Sequence, residues 1–391
     1  MSAPEIRGWC PGALRPMASG DGLVARVRPR GGRLSAAQAA GLARAARAHG
    51  DGAIALSSRA NLQLRGVTAQ GHAALLADLA ALDLLDADIG AEARRNIVVT
   101  PFWRHGDATP RLAAALAAAL AKADAPETPT KFGFAVDDGP APVLRAASAD
   151  IRLERAVSGA LMLRADGAAT GCAVTEDAAP EAALALARWW LDSGGAPQGR
   201  GRMAAHLERG ARLPARFDDG SVAAALAARA PAPAPGPCPQ GFLAGVAFGL
   251  MSADTLTALA QAGAGLRLTP WRMALIEGAH AAPDRPEIIA APDDPRLAVS
   301  ACVGAPGCAQ ALAPTLPLAA ALAARVPPGA RLHVSGCAKG CAHPGPAAFT
   351  LVAGRAGFAL IRDGRADAEP SRMGLSSDAL IAHPETLFGD G

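Results

Sequence analysis

Four of the chain's seven cysteines fall in two short stretches, Ala301-Cys-Val-Gly-Ala-Pro-Gly-Cys308 and Ser335-Gly-Cys-Ala-Lys-Gly-Cys-Ala-His343. As spacing this is C-x5-C followed by C-x3-C. Four thiolates brought together form a soft ligand set, suited to an iron–sulfur cluster or to zinc rather than to a hard cation. Structural zinc favours paired cysteines about two to four residues apart. The wider gap between Cys302 and Cys308 therefore speaks for a [4Fe–4S] cluster on Cys302, Cys308, Cys337 and Cys341. Gly304, Pro306, Gly307, Gly336 and Gly340 flank these cysteines, where a tight backbone can wrap a bulky core and aim N–H groups at its sulfides. Zinc and unliganded buried thiols are the other readings of the same residues. Lys339 either tunes the charge of the site or lies exposed.

The frame around these cysteines is long. At 391 residues the chain exceeds the size, about 250–300 residues, at which single cores stop growing. Half-apolar composition with 19% charged residues describes an ordered globular protein, and a net charge of +3 is too small to call for nucleic acid or a membrane surface. Of the 38 basic residues only Lys122, Lys131 and Lys339 are lysines, so each arginine is judged by its position. The remaining cysteines, Cys10, Cys172 and Cys238, are scattered, unlike a disulfide framework, and a reducing compartment fits. The amino terminus lacks a basic stretch followed by an apolar run, and the most apolar window, Gly241 to Met251, is too short to span a bilayer. The expectation is a cytoplasmic protein with neither nucleic acid nor membrane as partner.

Local patterns place the elements. An irregular lead through Arg7-Gly-Trp-Cys-Pro-Gly12 and Ser19-Gly-Asp-Gly22 precedes a strand, Leu23–Arg28, with Arg26 and Arg28 on one face. Ser35 caps a helix that runs to His49. Short strands at 53–56 and 62–65 and a helix at 70–82 complete a compact unit. Beyond it, Arg94–Thr100 enters a strand and 111–122 is helical. Strands are predicted at 131–136, 150–155, 160–164 and 168–174, and a helix at 181–191. The run Pro231–Pro239, with proline at every second position, is a stiff extended connector.

After that connector the chain begins again. A strand at 243–248, a helix at 252–262 and a hairpin arm at 263–270 repeat the opening order. Leu56 pairs with Leu268, and Gly66 with Gly278, at one constant offset. This is an internal duplication, the pattern of two related halves about a pseudo-two-fold axis. The first copy has no cysteines where the second has its cluster motif, so one cluster per chain is expected.

The duplication, Ser58-Arg-Ala-Asn-Leu-Gln-Leu-Arg-Gly66, Arg95-Asn-Ile-Val98, the Lys131-Phe132 strand and C-x5-C…C-x3-C together resemble the sulfite/nitrite reductase hemoprotein superfamily. Within it, Arg7-Gly-Trp-Cys-Pro-Gly12, Ser19-Gly-Asp-Gly-Leu23 and the compact length are most similar to the precorrin-3B synthases. The resemblance implies an α+β fold of two ferredoxin-like half-domains, 12–82 and 236–285, and two α/β domains: 85–228, without the cysteine cluster, and 293–391, carrying it. It implies O2-dependent hydroxylation of precorrin-3A at C20 with γ-lactone formation, a [4Fe–4S] cluster and a non-haem iron as cofactors, and an external electron donor, an NADH-dependent reductase or a ferredoxin. Arg59, Arg95 and Lys131 match the family's basic active-site residues. Arg26, Arg28, Asn61, Gln63 and Arg65 are candidates for substrate binding, because arginine can pair the acid groups of a polycarboxylate bidentately. A solvated strand face for Arg26 and Arg28, and hairpin hydrogen bonds for Asn61 and Gln63, are the structural alternatives.

Where the siroheme enzymes carry a second lysine, this chain has Gly133. That weakens six-electron reduction of sulfite or nitrite, which needs protons delivered to a small anion, and leaves room for a larger substrate. A siroheme-dependent reductase is the alternative reading, and a cluster-bearing electron-transfer protein a second. Ligands for a second iron are not evident. His105 with Asp107 and His206 with Glu208 are local pairs of the type that non-haem iron uses, and His343 lies beside Cys341 either as a ligand or as a hydrogen-bonding partner of the loop. Gly50-Asp-Gly-Ala-Ile-Ala55 follows a helix instead of opening one, so it is not a nucleotide loop.

Overall fold

The computed structural model describes residues 11–218, 220, 222–223 and 233–389. Cys10, most of the Arg7–Gly12 opening and the first residues of the Pro231–Pro239 run lie outside the described residues. The fold is α+β and built from four sheets, and each copy of the duplication contributes two of them.

The first half-domain begins with the hairpin Met17–Ser19 and Gly22–Val27, which pairs with Leu62–Val67 and then Ala53–Leu56. Helix Ala36–His49 lies across it. Ser35 starts that helix because its hydroxyl accepts the Gln38 N–H while the Gln38 side chain accepts the Ser35 N–H. Such a reciprocal cap satisfies two donors that the first helical turn leaves free. The second half-domain repeats the order with Gly236–Cys238, Gly241–Val246, Met273–Glu277 and Gly265–Leu268, and Ser252 caps helix Ala253–Gln261. The backbones echo each other. Ala60 and Arg272, at equivalent hairpin tips, are both left-handed (φ 54° and 58°), as are Gly66 and Gly278 (φ 62° and 73°).

One feature is not visible in the sequence. The strand Arg33–Ser35 leaves its own half-domain and closes the edge of the second sheet beside Gly265–Leu268, while Leu250–Ser252 closes the first sheet beside Ala53–Leu56. The halves thus exchange edge strands. Leu34 is fully buried by this exchange, and a single apolar core runs through both halves, from Leu42 and Leu64 to Leu256 and Leu268.

The two α/β domains share a topology. Ile97–Val99, Phe134–Asp137 and Ile151–Arg155 run parallel, and Leu161–Ala165 and Thr170–Ala173 follow antiparallel. In the second copy Val299–Ala301, Leu332–Ser335 and Ala347–Gly354 are parallel, and Gly357–Gly364 and Arg372–Leu375 antiparallel. Each first crossover carries a helix, Ala108–Ala121 or Leu316–Leu322. The former starts three residues before the predicted Arg111, since Pro110 is tolerated in a first turn. Lys131 lies outside its predicted strand, because the Phe132 N–H closes a turn onto Pro129 O at 2.8 Å. Among the described residues no helix is long and apolar enough to cross a membrane.

Candidate functional site

The cysteine loops leave the C-terminal ends of neighbouring parallel strands. Ala301 sits opposite Val334, so Cys302 emerges beside Ser335 and Gly336. The Gly336 N–H donates to Cys302 Sγ at 3.1 Å, and Thr315 Oγ1 donates to the Cys302 carbonyl. Gly304 is left-handed (φ 70°), and a Cβ there would lie 2.6 Å from Thr315 Oγ1. Burial pushes the Cys337 and Cys341 thiols above their ordinary range, while the Lys339 backbone N–H and the Lys339 charge, respectively, work against it. Cys341 lies within electrostatic reach of Cys302, Cys308 and Cys337, and Cys337 within reach of Cys302 and Cys308. Cys341 is exposed, and Cys302, Cys308 and Cys337 are half-buried. Among the described residues no group of three or more His, Cys, Asp or Glu side chains closes tightly enough to hold a single metal ion.

Both half-domains reach these loops. The turn Ser19-Gly-Asp-Gly22 sits on the Cys302–Cys308 loop: Ser19 Oγ donates to Gly307 O at 2.8 Å, and a Cβ on Gly20 would lie 2.3 Å from Pro306 O. Arg65 joins it, bound to Asp21 and to the Gly307 carbonyl. From the other half-domain Arg272 donates to Ala342 O at 2.6 Å, between Cys341 and His343, and its charge lies near Cys302. His333 is fully buried, and neither ring nitrogen has a hydrogen-bond partner. Burial pushes its pKa down to about 4, and the charges of His343 and Arg272 push the same way, so its imidazole is neutral. His343 packs edge-on to it, with ring centroids 5.8 Å apart, and its Nε2 lies 3.0 Å from Pro346 O, so His343 is a hydrogen-bonding residue of this loop.

The other candidate arginines gather elsewhere. Arg26, Arg28 and Arg95 are buried. Arg28 donates to Glu92 O, and burial followed by the neighbouring Arg26 charge lowers its pKa to about 10. Arg95 is paired in a fork with Asp86 at 2.7 and 2.8 Å and donates to Arg28 O. A cavity of about 210 Å3 opens here between Arg15, Arg28, Arg94, Glu92 and Glu127. Arg59 donates to the Lys131 carbonyl at 3.4 Å, and the Lys131 side chain is exposed. Ser57 organises the hairpin tip by accepting the N–H groups of Arg59 and Asn61; Asn61 is buried, and Gln63 lies opposite Arg26 across the strands.

Several expectations change. Gly133 does not leave room: a Cβ there would meet Asn96 Nδ2 at 2.7 Å, and that amide donates to Phe132 O at 2.9 Å. Asp107 Oδ2 accepts the Arg104 N–H beside an exposed His105, and His206 is buried against Ser193 Oγ at 2.9 Å. Neither pair gathers a third ligand among the described residues. Arg272 and His333 carried no motif by which sequence reasoning would find them. The Ser19–Gly22 turn stood out as a string, without its docking surface.

Residues 15–82 match the nitrite/sulfite reductase ferredoxin-like half domain. A precorrin-3B synthase from a Sinorhizobium species is 30% identical over 93% of this chain and 84% of its own length. The solved structure of the Mycobacterium tuberculosis NirA protein matches with a TM-score of 0.63 over 93% of this chain and 79% of its own, at 17% identity, a likeness of fold.

Proposed function

We propose, on the premise that this chain belongs to the precorrin-3B synthase family within the sulfite/nitrite reductase superfamily, that it hydroxylates precorrin-3A at C20 with closure of a γ-lactone. One oxygen atom of O2 enters the substrate and the other leaves as water, which takes two electrons and two protons from an external donor. The observation that carries the reading is the match to a precorrin-3B synthase along 93% of the chain.

Cys302, Cys308, Cys337 and Cys341 would hold a [4Fe–4S] cluster. The soft donor set fits it, and so does the Gly336 N–H on Cys302 Sγ. When bound, the cluster supplies one-electron transfer. The chain's own residues do the rest. Arg28, facing a cavity large enough for an acid side chain but not a macrocycle, would hold a substrate carboxylate, with the Arg26 charge beside it. Arg95 would orient Arg28 through its carbonyl, and Arg59 would fix the loop that presents Lys131 as a proton donor at the open face. Asn61 and Gln63 line the same hairpin. A non-haem iron belongs to the family reading, but no ligand set for it closes among the described residues.

Anaerobic purification followed by iron and sulfide analysis, an absorption spectrum and turnover of precorrin-3A under O2 tests this. Cluster absorbance with O2-dependent product supports it. A siroheme Soret band would overturn it in favour of a sulfite or nitrite reductase, and a cluster without turnover in either assay would leave an electron-transfer protein.

A further inference from the structure

We infer that Arg65 and Arg272 are positioning residues, each pinning one of the two cysteine loops from a different half-domain, and that Arg65 serves the Cys302–Cys308 loop instead of a substrate carboxylate. The pinning is a property of the chain itself; only what the loops hold rests on the function proposed above.

Arg65 is 7% exposed. Its Nε and Nη2 form a fork on Asp21 at 2.8 and 3.0 Å, and the same Nη2 reaches Gly307 O at 2.6 Å and Ser19 Oγ at 3.2 Å. A buried guanidinium needs a counter-charge in good geometry, and Asp21 supplies it. A substrate carboxylate would have to displace Asp21 from that edge and release the loop carbonyl. The loop has little freedom to compensate, because the Gly20 backbone already touches it and a Cβ on Gly307 would strike Val303 at 2.4 Å. Lysine could not replace Arg65, since one ammonium group lacks the planar fork that meets Asp21 and Gly307 together.

Arg272 does the corresponding work on the other loop. It occupies a left-handed tip position where its equivalent in the first copy is Ala60, whose methyl group is too short to reach across. Its stem is lodged beside Gly249, where a Cβ would lie 2.9 Å from Arg272 Cδ, and its Nη2 holds the Ala342 carbonyl next to Cys341. The positive charge also lies near Cys302, so one residue fixes the C-x3-C loop and reaches the facing one.

Hydrogen exchange on the full chain separates the two roles. In Arg65→Ala, amides of 303–309 should exchange about tenfold faster than in the wild type while those of 338–343 keep their protection. Arg272→Ala should give the reverse, and both variants should lose iron to a chelator faster than the wild type. KM for precorrin-3A should stay within about twofold in Arg65→Ala, as expected when uniform substrate binding is untouched. Unchanged protection of 303–309, or a tenfold higher KM with both loops unaltered, overturns the inference. If Arg65→Ala does not fold, Arg65→Lys and Asp21→Asn break the fork while keeping volume and give the same readouts. A wild type without iron and sulfide would defeat the cofactor reading alone, because loop protection is measured on the chain whatever it carries.

Discussion

Asp137 ends the second parallel strand of the first α/β domain, at the place where Ser335 ends its counterpart ahead of Cys337. It is 2% exposed, its Oδ2 accepts the N–H groups of Val143 and Leu144 at 2.6 and 2.7 Å, and burial raises its pKa to about 6. A carboxylate thus organises the loop that cysteines organise in the other copy. In the unfolded chain an aspartate ionises near 4, so between about pH 4 and 6 unfolding releases a proton and stability falls as pH rises, by at most about 3 kcal/mol. Asp137→Asn keeps an acceptor and loses the titration. Its stability advantage over the wild type, read from urea midpoints, should grow from pH 4 to 6.5, and a flat difference would show that the buried charge costs nothing. Arg95 and Asp86, each 8% exposed on the side chain, make the opposite case. Arg95→Ala strands a buried carboxylate and should lower unfolding free energy by about 3–5 kcal/mol in chemical denaturation. Residue types were legible in the sequence here and partners were not. Nothing in spacing joins Arg95 to Asp86, or Arg65 to a turn more than forty residues upstream and a loop in another domain.

Helix starts were readable because capping is local. Ser35 and Ser252 each sit one residue before a helix and bond to N–H groups within it, so Ser35→Ala should cost about 1 kcal/mol, measurable as a shifted unfolding midpoint without loss of helix by circular dichroism. Strand exchange was not readable. Arg33–Ser35 and Leu250–Ser252 are three residues long, and which sheet edge they join depends on what stands open after the halves meet. Gly133 shows the same limit at the level of a loop: the missing lysine was visible, but the Asn96 amide filling its place was not. Gly133→Ala should therefore destabilise by about 1–3 kcal/mol through overpacking, and Gly133→Lys should not confer sulfite or nitrite reduction.

The duplication governs the whole molecule. With edge strands exchanged and one core spanning both halves, neither copy can bury its apolar surface alone. A chain cut between residues 223 and 233 should give fragments that aggregate or remain unfolded when expressed singly and that recover a native circular dichroism spectrum and a single gel-filtration peak when co-expressed. The docking is crossed as well. The Ser19–Gly22 turn of the first half-domain sits on the cysteine loop of the second α/β domain. The matching turn of the second half-domain reaches the first, where Gln240 donates to Phe102 O, and Arg267, on strand Gly265–Leu268, donates to the carbonyls of Pro101 and Trp103.

Were the two copies identical and severed at the connector, these contacts would describe a strand-swapped homodimer with two equal seats, the isologous geometry of a two-fold pair. Joining the subunits in one polypeptide frees the seats from having to match. One keeps the Cys302–Cys308 loop under its turn, and the other lies beside an aromatic pair, Phe102 stacked on Trp271. Either seat can then change without its twin, so a pseudo-symmetric scaffold comes to carry clustered cysteines at one seat and an apolar contact at the other.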